Sequence, residues 1–365
     1  MNLRALSTSL KNIYAKNNNQ ILALKVFKKI FGIKLNFAFS VLNPSDLAEN
    51  DEILVSKKLL NPAHLYNLSP KKIPQDSPQW YRDEYLVSVS QVLIDTTTGI
   101  AFINLRDPIA IFESSNILPI EVSETVRPRT PKKMMKGNWA VLSSRSYAHW
   151  LIQDLPRFLK LVMLHEEQLQ ISISNTAPRY VVEVLEILGV SPKVLTQVLY
   201  AEEYTFVSAQ YAEGLPSSDD LEILHKFRDE RLKNHVALKK SVSTEIPEKI
   251  YISRRYSTRS LPNEIEIEQL AKENGFTVVY LEDWKLDDEI EMFRSVKYIV
   301  GAAGAGLCNI VWADRNRCQQ VVEIYDDTFL NHALENLATR ISINFSRVRY
   351  QDAMQSGVFL SKLPK

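Results

Sequence analysis

The last third of the chain alternates between short β-branched runs and amphipathic stretches, and this alternation restricts its fold more than any other feature. The predicted strands lie at 249–253, 276–281, 298–301 and 320–324, and the predicted helices at 263–274, 286–295 and 329–339. Strands that alternate with helices pair in parallel, because each crossover returns the chain to the same end of the sheet. We therefore predict an α/β fold with a parallel, doubly wound sheet in this region.

Three of the ten glycines in the chain fall within six positions, directly after the strand pattern at 298–301. They are Gly301, Gly304 and Gly306. Such a cluster lets the backbone turn sharply or lets a ligand approach it closely, and the first N–H groups of a following helix favour an anion. We predict that this glycine turn forms one wall of a nucleotide or phosphate site. The alternative is that the glycines only let a helix pack tightly on a strand.

The length of the chain predicts two domains, because a single core rarely grows past roughly 250 to 300 residues. The stretch at 235–248 lacks periodicity and contains lysine, serine and proline, which is typical of a linker. The predicted parts are a basic helical segment at 1–40, an α/β domain at 41–234, the linker at 235–248 and a Rossmann-like domain at 249–365. In the first domain, alternating residues at 86–94 and 100–104 flank turn residues and predict a hairpin.

The charge of the chain is unevenly distributed. Residues 1–40 carry seven basic residues and no acid, whereas the whole chain has a net charge of +1, which leaves −6 for the remainder. A general nucleic-acid surface is therefore not expected. In the basic segment Lys25, Lys28, Lys29 and Lys34 alternate with apolar residues. This pattern predicts either a helix docked on its own domain or a peripheral contact with an anionic membrane surface.

Cys308 and Cys318 are the only cysteines, and neither belongs to a metal-ligand pattern or a disulfide framework. The longest apolar stretch, 299–313, is interrupted by the glycine turn and by Asn309. We therefore expect no transmembrane segment and a reducing compartment.

An arginine cluster follows the first strand of the alternating region. Arg254, Arg255 and Arg259 lie within six residues, and Asn263 begins the next helix. Fork-shaped, permanently charged donors beside a helix N-terminus suit a diphosphate, although a basic surface loop is the alternative. Glu323 ends a strand roughly twenty residues after the glycine turn, where an acid can bind ribose hydroxyls or be an ordinary solvated residue.

A second polar cluster lies on a predicted helix that begins near Tyr147. His149, Gln153 and Arg157 share its polar side, with Asp154 near the edge. Pro156 removes one backbone hydrogen bond and is expected to kink the helix. His149 is either a general base or a structural histidine.

These segments together resemble glycosyltransferase family 61 over about residues 139–324. The resemblance rests on His149-Trp150-Leu151 with Asp154 and Pro156-Arg157, on Tyr251-Ile-Ser-Arg254 with Arg259 and Asn263-Glu264, and on the run from Gly301 to Asn309. Two positions depart from the family pattern. Ala303 stands where a histidine is usual, and Glu289 stands where a glutamine is usual. The histidine would supply a hydrogen-bond donor to the turn. Its loss leaves open the identity of the sugar donor and the rate of transfer.

The resemblance implies a GT-B-like fold in which two Rossmann-like lobes face a cleft. It also implies an inverting transfer of a hexosyl or pentosyl group from a UDP-sugar to a glycan or lipid-linked acceptor, in bacterial capsule or surface polysaccharide synthesis. For such a protein we expect a cytoplasmic location, with peripheral contact at the inner face of the membrane through residues 1–40. Because no Asp-x-Asp triplet occurs, we expect neither a metal nor another cofactor.

The site residues follow from combining the resemblance with the polar clusters. The residues expected to bind the nucleotide-sugar are Arg254, Arg259, Asn263, Gly304, Ala305, Gly306, Asn309 and Glu323. The acceptor hydroxyl needs a base, and His149 or Asp154 is the candidate.

Two other classes remain open at this point. A nucleotide-dependent oxidoreductase is favoured by the spacing of Glu323 from Gly301, but the order Gly-x-x-Gly-x-Gly differs from the dinucleotide fingerprint. A non-catalytic relative of the glycosyltransferases is favoured by Ala303.

Overall fold

The computed structural model describes most of the chain beyond residue 84. The described ranges are 84–103, 133–143, 146–164, 169–195, 198–209, 215–238, 246–257, 260–326 and 332–356, with short strands at 40–42, 55–61, 64–66, 79–81 and 109–111. The chain divides into two compact units. The first unit comprises 1–145, 157–177 and 190–213, and the second comprises 146–156, 178–189 and 214–365.

The first unit is built on a mixed sheet. Its strands are β1 (Ser40–Leu42), β2 (Val55–Asn61), β3 (His64–Tyr66), β4 (Gln79–Tyr81), β5 (Glu84–Asp95), β6 (Ala101–Ile103), β7 (Ile109–Ile111), β8 (Met135–Val141), β9 (Gln170–Ser174), β10 (Lys193–Leu195) and β11 (Val198–Val207). Nine of these described strands form one sheet in the order β1-β7-β6-β5-β11-β8-β9-β10, with β2 also on β5, and β3 pairs with β4. The β11-β8-β9-β10 part is parallel, whereas β5 is antiparallel to β11, β6 and β2.

The predicted hairpin is confirmed in this sheet. β5 and β6 pair antiparallel, and the Asp95 carboxylate accepts hydrogen bonds from the Thr97 N–H and the Thr98 hydroxyl in the turn. The alternating valines of β5 are fully buried with Trp139 and Tyr204 in the core of the unit. The period-two pattern therefore predicted the strand.

The helix that begins at Tyr147, here α1, runs through three segments. It starts as an α-helical turn at Tyr147–His149, widens to a π-helical turn at Trp150–Asp154, and continues as an α-helix at Leu155–Leu164. Pro156 lacks the N–H that would bond to the carbonyl of Ile152, which explains an irregular turn just before it. Arg157 belongs to the predicted polar face of this helix. Its guanidinium donates to the backbone carbonyl of Val207 within the first unit.

The second unit carries a five-stranded, fully parallel sheet. Its described strands are β12 (Lys249–Ile252), β13 (Thr277–Val279), β14 (Tyr298–Ala302), β15 (Gln320–Tyr325) and β16 (Phe345–Arg349), in the order β13-β12-β14-β15-β16. Numbered from β12, this order is 2-1-3-4-5, one of the two common doubly wound orders. The prediction of a parallel α/β sheet is confirmed, and the pairing of two GT-B lobes stays a prediction.

The helices of the second unit match the predicted alternation closely. They are α2 (Arg179–Ile187), α3 (Ser218–Leu238), α4 (Glu264–Glu273), α5 (Leu286–Ser295), α6 (Ala333–Arg340) and α7 (Tyr350–Ser356), with 3₁₀ turns at Leu281–Asp283 and Ala305–Trp312. The buried face of α4, with Ile267 and Ala271, packs with Tyr251, Val300 and Val322 of the sheet in one core cluster. Burial of this apolar face is what fixes the helix on the sheet.

Some predictions fall on residues outside the described ranges. These are most of the basic segment at 1–40, residues 239–245 of the predicted linker, and Arg259. The helix α3 extends as far as Leu238. In the described part of the chain, no helix has both the length and the apolar character needed to cross a membrane.

Candidate nucleotide site

The strand order of the second unit fixes where a ligand can bind. In a doubly wound sheet, ligands bind beyond the carboxyl ends of the strands where the order reverses, and here that point lies at the neighbouring strands β12 and β14. A cavity of about 460 Å³ lies there, lined by Ser253 and Arg254 after β12 and by Ala305 and Gly306 after β14. This volume lies in the range of pockets that hold small molecules.

Arg254 is held against the glycine turn. Its Nη1 donates to the carbonyl of Ala303, and its Nε donates to the Ser257 hydroxyl at 3.1 Å. Ser257 also lines the cavity. The guanidinium is therefore fixed in direction before any ligand binds, which lowers the entropy cost of binding an anion.

Buried Glu264 organises the backbone before and after this arginine. One oxygen accepts hydrogen bonds from the Arg254 N–H at 3.0 Å and the Tyr251 hydroxyl at 2.7 Å, and the other accepts from the Leu261 N–H at 3.1 Å. The side chain lies in the first turn of α4, where a carboxylate is favoured. Glu264 thus supports the loop without lining the cavity.

The glycine turn lies close to neighbouring side chains. A Cβ at Gly304 would lie 2.0 Å from Arg254 Nη1, and one at Gly301 would lie 3.1 Å from the Ile252 Cβ. A 3₁₀ helix begins at Ala305. The first N–H groups of a helix have no intrahelical partner, so Ala305 and Gly306 bring such donors to the cavity.

A second group of lining residues centres on Tyr147. Its hydroxyl oxygen lies 2.6 Å from Asn309 Oδ1 and 3.0 Å from Glu289 Oε2. Asn309 is fully buried and donates its amide nitrogen to the Gly306 carbonyl. Two successive hydrogen bonds, from Tyr147 to Asn309 and from Asn309 to Gly306, therefore connect the start of α1 to the glycine turn.

Burial dominates the electrostatics of this group. Glu289 is 6% exposed, and its pKa rises to about 8 because of burial, opposed by the Tyr147 hydrogen bond and raised further by Glu183. Burial and Glu289 also raise the pKa of Tyr147 well above its usual value. Both groups are therefore mainly protonated at neutral pH.

The helix α2 contributes a charged pair to the same cavity. Arg179 Nε lies 3.1 Å from Glu183 Oε1, and the guanidinium also donates to the carbonyls of Glu282 and Trp284. The other oxygen of Glu183 accepts the N–H of Leu286 at the start of α5. These bonds tie α2 to the segment that follows β13, so two parts of the cavity wall are fixed to each other.

Tyr180 provides an aromatic surface in the cavity. Its ring lies 4.5 Å from the Trp150 ring and 5.0 Å from the Tyr147 ring, measured between centroids. Burial, with a smaller contribution from Asp154, raises the pKa of Tyr180 to about 12. Aromatic stacking of this kind orders a flat surface on which a base or sugar ring can pack.

The predicted catalytic residues lie next to this wall in sequence. His149 is exposed, and its Nδ1 lies 2.9 Å from Gln153 Oε1. An amide oxygen only accepts, so Nδ1 carries the proton and Nε2 carries the lone pair in the neutral ring. Asp154 is 6% exposed in the π-helical turn. Both belong to the 146–156 segment of the second unit, the unit that contains the glycine turn, and neither lines the cavity.

The remaining predicted site residues are placed differently. Asn263 is exposed in a left-handed conformation before α4 and does not line the cavity. Glu323 is 2% exposed, and its Oε2 accepts a hydrogen bond of 2.6 Å from Arg347 Nε on the neighbouring strand. Burial raises the pKa of Glu323, opposed by Arg347. Arg259 lies outside the described residues.

Of the residues predicted to bind the nucleotide-sugar, Arg254, Ala305 and Gly306 line the cavity, and Gly304 and Asn309 lie beside them. That these residues bind a nucleotide-sugar stays a prediction. Sequence reasoning missed several residues that line the cavity or hold its walls, which are Tyr147, Arg179, Tyr180, Glu183, Leu281, Glu282 and Glu289. The pair Arg179 and Glu183, four residues apart on one helix face, was a signal in the sequence. It could not show that α2 packs against α5, because that contact depends on the tertiary fold.

The described residues contain no group of three or more His, Cys, Asp or Glu that could hold a metal ion.

Comparison with known proteins identifies the class of this domain. A Rossmann-like sheet with a cavity at its switch point and a clamped arginine on a glycine turn has the form of a nucleotide-binding domain. Residues 147–321 match the family model described as Glycosyltransferase 61. This match confirms the resemblance to glycosyltransferase family 61 over residues 147–321 and supports a glycosyltransferase. A search of curated proteins found no match.

Proposed function

We propose that the protein transfers a sugar, with inversion, from a UDP-sugar bound in the cavity of the second unit to a glycan or lipid-linked acceptor. The observation that carries the donor assignment is the position of Arg254, whose guanidinium lies on the glycine turn and lines the cavity. The nature of the acceptor rests on the family alone, as does a role in surface polysaccharide synthesis.

The diphosphate is proposed to lie between Arg254, Ser257 and the N–H groups of Ala305 and Gly306. A departing diphosphate gains negative charge during transfer, and fixed donors in a pocket stabilise that charge most when they are oriented in advance. Arg254 meets this requirement because Ala303 and Ser257 already hold it. This arrangement supplies the counter-charge from the protein itself.

The nucleoside and sugar are proposed to lie along Tyr180, Glu183 and Glu282. Carboxylate oxygens accept hydrogen bonds from sugar hydroxyls, and the aromatic ring of Tyr180 offers a surface for a flat or apolar ring face. Leu281 and Leu286 add apolar lining. A pocket with a mainly apolar wall and a few placed polar groups is typical of small-ligand sites.

His149 is proposed as the base that takes the proton of the acceptor hydroxyl. Gln153 holds Nδ1, which leaves Nε2 with the lone pair a base needs, and exposure of His149 lets an acceptor reach it. Asp154, five residues after His149 at the end of the π-helical segment, is the alternative base or the partner of His149.

Binding and turnover with a panel of nucleotide-sugars test this function. The expected result is that UDP raises the unfolding midpoint of the protein, because a ligand that binds only the folded state stabilises it, while NAD does not. Release of UDP from one UDP-sugar should depend on added acceptor. Stabilisation by NAD, or by neither ligand, would contradict the proposal.

A further inference from the structure

We propose that Glu289 carries a proton in the working protein and donates it in a hydrogen bond to Tyr147. The part of the cavity wall at Glu289 and Tyr147 is then uncharged, and the protein loses an anionic ligand when Glu289 ionises. The identity of the ligand as a nucleoside diphosphate rests on the proposed function. The protonation of Glu289 does not rest on it, because it follows from the hydrogen-bonding contacts of Tyr147.

Two hydrogen-bonding groups contact the Tyr147 hydroxyl. The Tyr147 oxygen lies within hydrogen-bonding distance of both Asn309 Oδ1 and Glu289 Oε2. A tyrosine hydroxyl has one proton and can make a full, well-aligned hydrogen bond to only one of the two acceptors. In one of the two contacts, the partner of Tyr147 must therefore supply the proton.

The orientation of Asn309 decides which contact that is. Its amide nitrogen donates to the Gly306 carbonyl at 3.2 Å, so Oδ1 is the atom that faces Tyr147. The 2.6 Å contact to Oδ1 is also the shorter of the two. The Tyr147 hydroxyl thus donates its proton to Asn309 Oδ1. Glu289 supplies the proton for its 3.0 Å contact with the Tyr147 oxygen.

The charges around Glu289 favour the same state. Glu183 on α2 and Glu282 on the 3₁₀ turn both act on Glu289 with negative charge, and Arg179 opposes them. Arg179 already bonds to Glu183 and to two carbonyls. On α3, which packs against α5, Arg231 forms a bidentate pair with Asp287. Arg179 and Arg231 are thus engaged with other groups, so a buried carboxylate at position 289 would be poorly compensated.

The consequence follows from the shared cavity. Glu289 and Tyr147 line the same space as Arg254, Ala305 and Gly306. A negative charge on this wall repels a bound diphosphate, and the low polarity of the wall strengthens that repulsion. Because the pKa of Glu289 is raised to about 8, affinity for UDP should fall about tenfold between pH 7 and pH 9 if only the protonated form binds.

The first experiment needs no ligand. Infrared spectra of the parent and of Glu289→Gln are subtracted at a series of pH values. The expected result is a protonated carboxyl band at pH 7 that is missing from the variant and disappears as the pH passes about 8. If the parent has no such band at pH 7, Glu289 is ionised and the proposal is overturned, whether or not UDP binds.

The second experiment measures UDP affinity from pH 7 to pH 9 for the parent, Glu289→Gln and Glu282→Gln. The titration of uracil itself is common to all three and cancels in the comparison. The parent should lose about ten times more affinity than Glu289→Gln over this range. Glu282→Gln removes a neighbouring charge, so its loss should remain but begin at lower pH. Equal pH profiles for parent and Glu289→Gln would overturn the link to ligand binding, whereas absence of UDP binding at every pH would count against the proposed function.

Discussion

The guanidinium of Arg254 occupies the space that a side chain at Gly304 would need. A Cβ at position 304 would lie 2.0 Å from Arg254 Nη1 and 2.6 Å from Cζ. Atoms cannot approach so closely, so even alanine requires the arginine to move. The glycine at this position is therefore explained by the arginine that it accommodates, since its backbone is extended and open to any residue.

Gly304→Ala should displace Arg254 and weaken UDP binding by roughly tenfold, the effect of losing one charge-assisted hydrogen bond. Isothermal titration calorimetry of the parent, Gly304→Ala, Arg254→Ala and the double variant measures this. The alanine should add little once Arg254 is absent, because the two changes act on one contact. Additive losses in the double variant would mean that Gly304 acts independently of the arginine.

Tyr147→Phe should destabilise the second unit. The change removes the hydroxyl that Asn309 and Glu289 both contact. Each of these two buried side chains then loses one hydrogen bond. We expect a loss of about 1–3 kcal/mol in the free energy of unfolding, measured by urea denaturation. An unchanged free energy would show that these groups find other partners, and the proton count around Tyr147 would then carry no weight.

Glu289 should make the stability of the protein depend on pH. An unfolded glutamate ionises near 4.5, whereas folded Glu289 holds its proton to about 8. The folded state binds more protons between these values, so its stability falls as pH rises through them. The free energy of unfolding of the parent, relative to Glu289→Gln, should therefore decrease from pH 5 to pH 8 by about 1 kcal/mol for each pH unit. Parallel pH profiles would contradict this assignment.

His149→Ala should lower turnover by roughly 10²- to 10⁴-fold, the usual contribution of a general base. UDP affinity and the unfolding midpoint should stay close to those of the parent, because His149 is exposed and does not line the cavity. Asp154→Asn, tested in parallel, should match this loss if Asp154 is the base or its essential partner. Normal turnover in His149→Ala would make the histidine structural.

The local features of the second unit could be predicted from the sequence. Strand and helix patterns, the glycine turn and the adjacent Arg254 follow from periodicity and from residues with special backbone freedom. The π-helical turn at Trp150–Asp154 is related to Pro156, which the sequence also marked. These features depend on residues that are close in sequence.

Contacts between distant segments could not be predicted in the same way. The sequence placed Tyr147 at the start of a predicted helix, whereas its hydroxyl contacts Glu289 and Asn309, 142 and 162 residues away. Glu323 was expected to face a ribose, whereas its carboxylate pairs with Arg347 on the next strand. Strand register and helix packing determine both contacts, and a single sequence does not specify them.

The most direct test of the donor site compares UDP dissociation constants of Arg254→Ala and Arg255→Ala in a chelator-containing buffer. The two arginines are adjacent, but Arg255 lies over Tyr256 and near Glu268 instead of lining the cavity. We predict that Arg254→Ala weakens binding roughly tenfold or more, while Arg255→Ala stays near the parent value. Equal dissociation constants for the parent and Arg254→Ala, or no binding until a divalent metal is restored, would contradict the account.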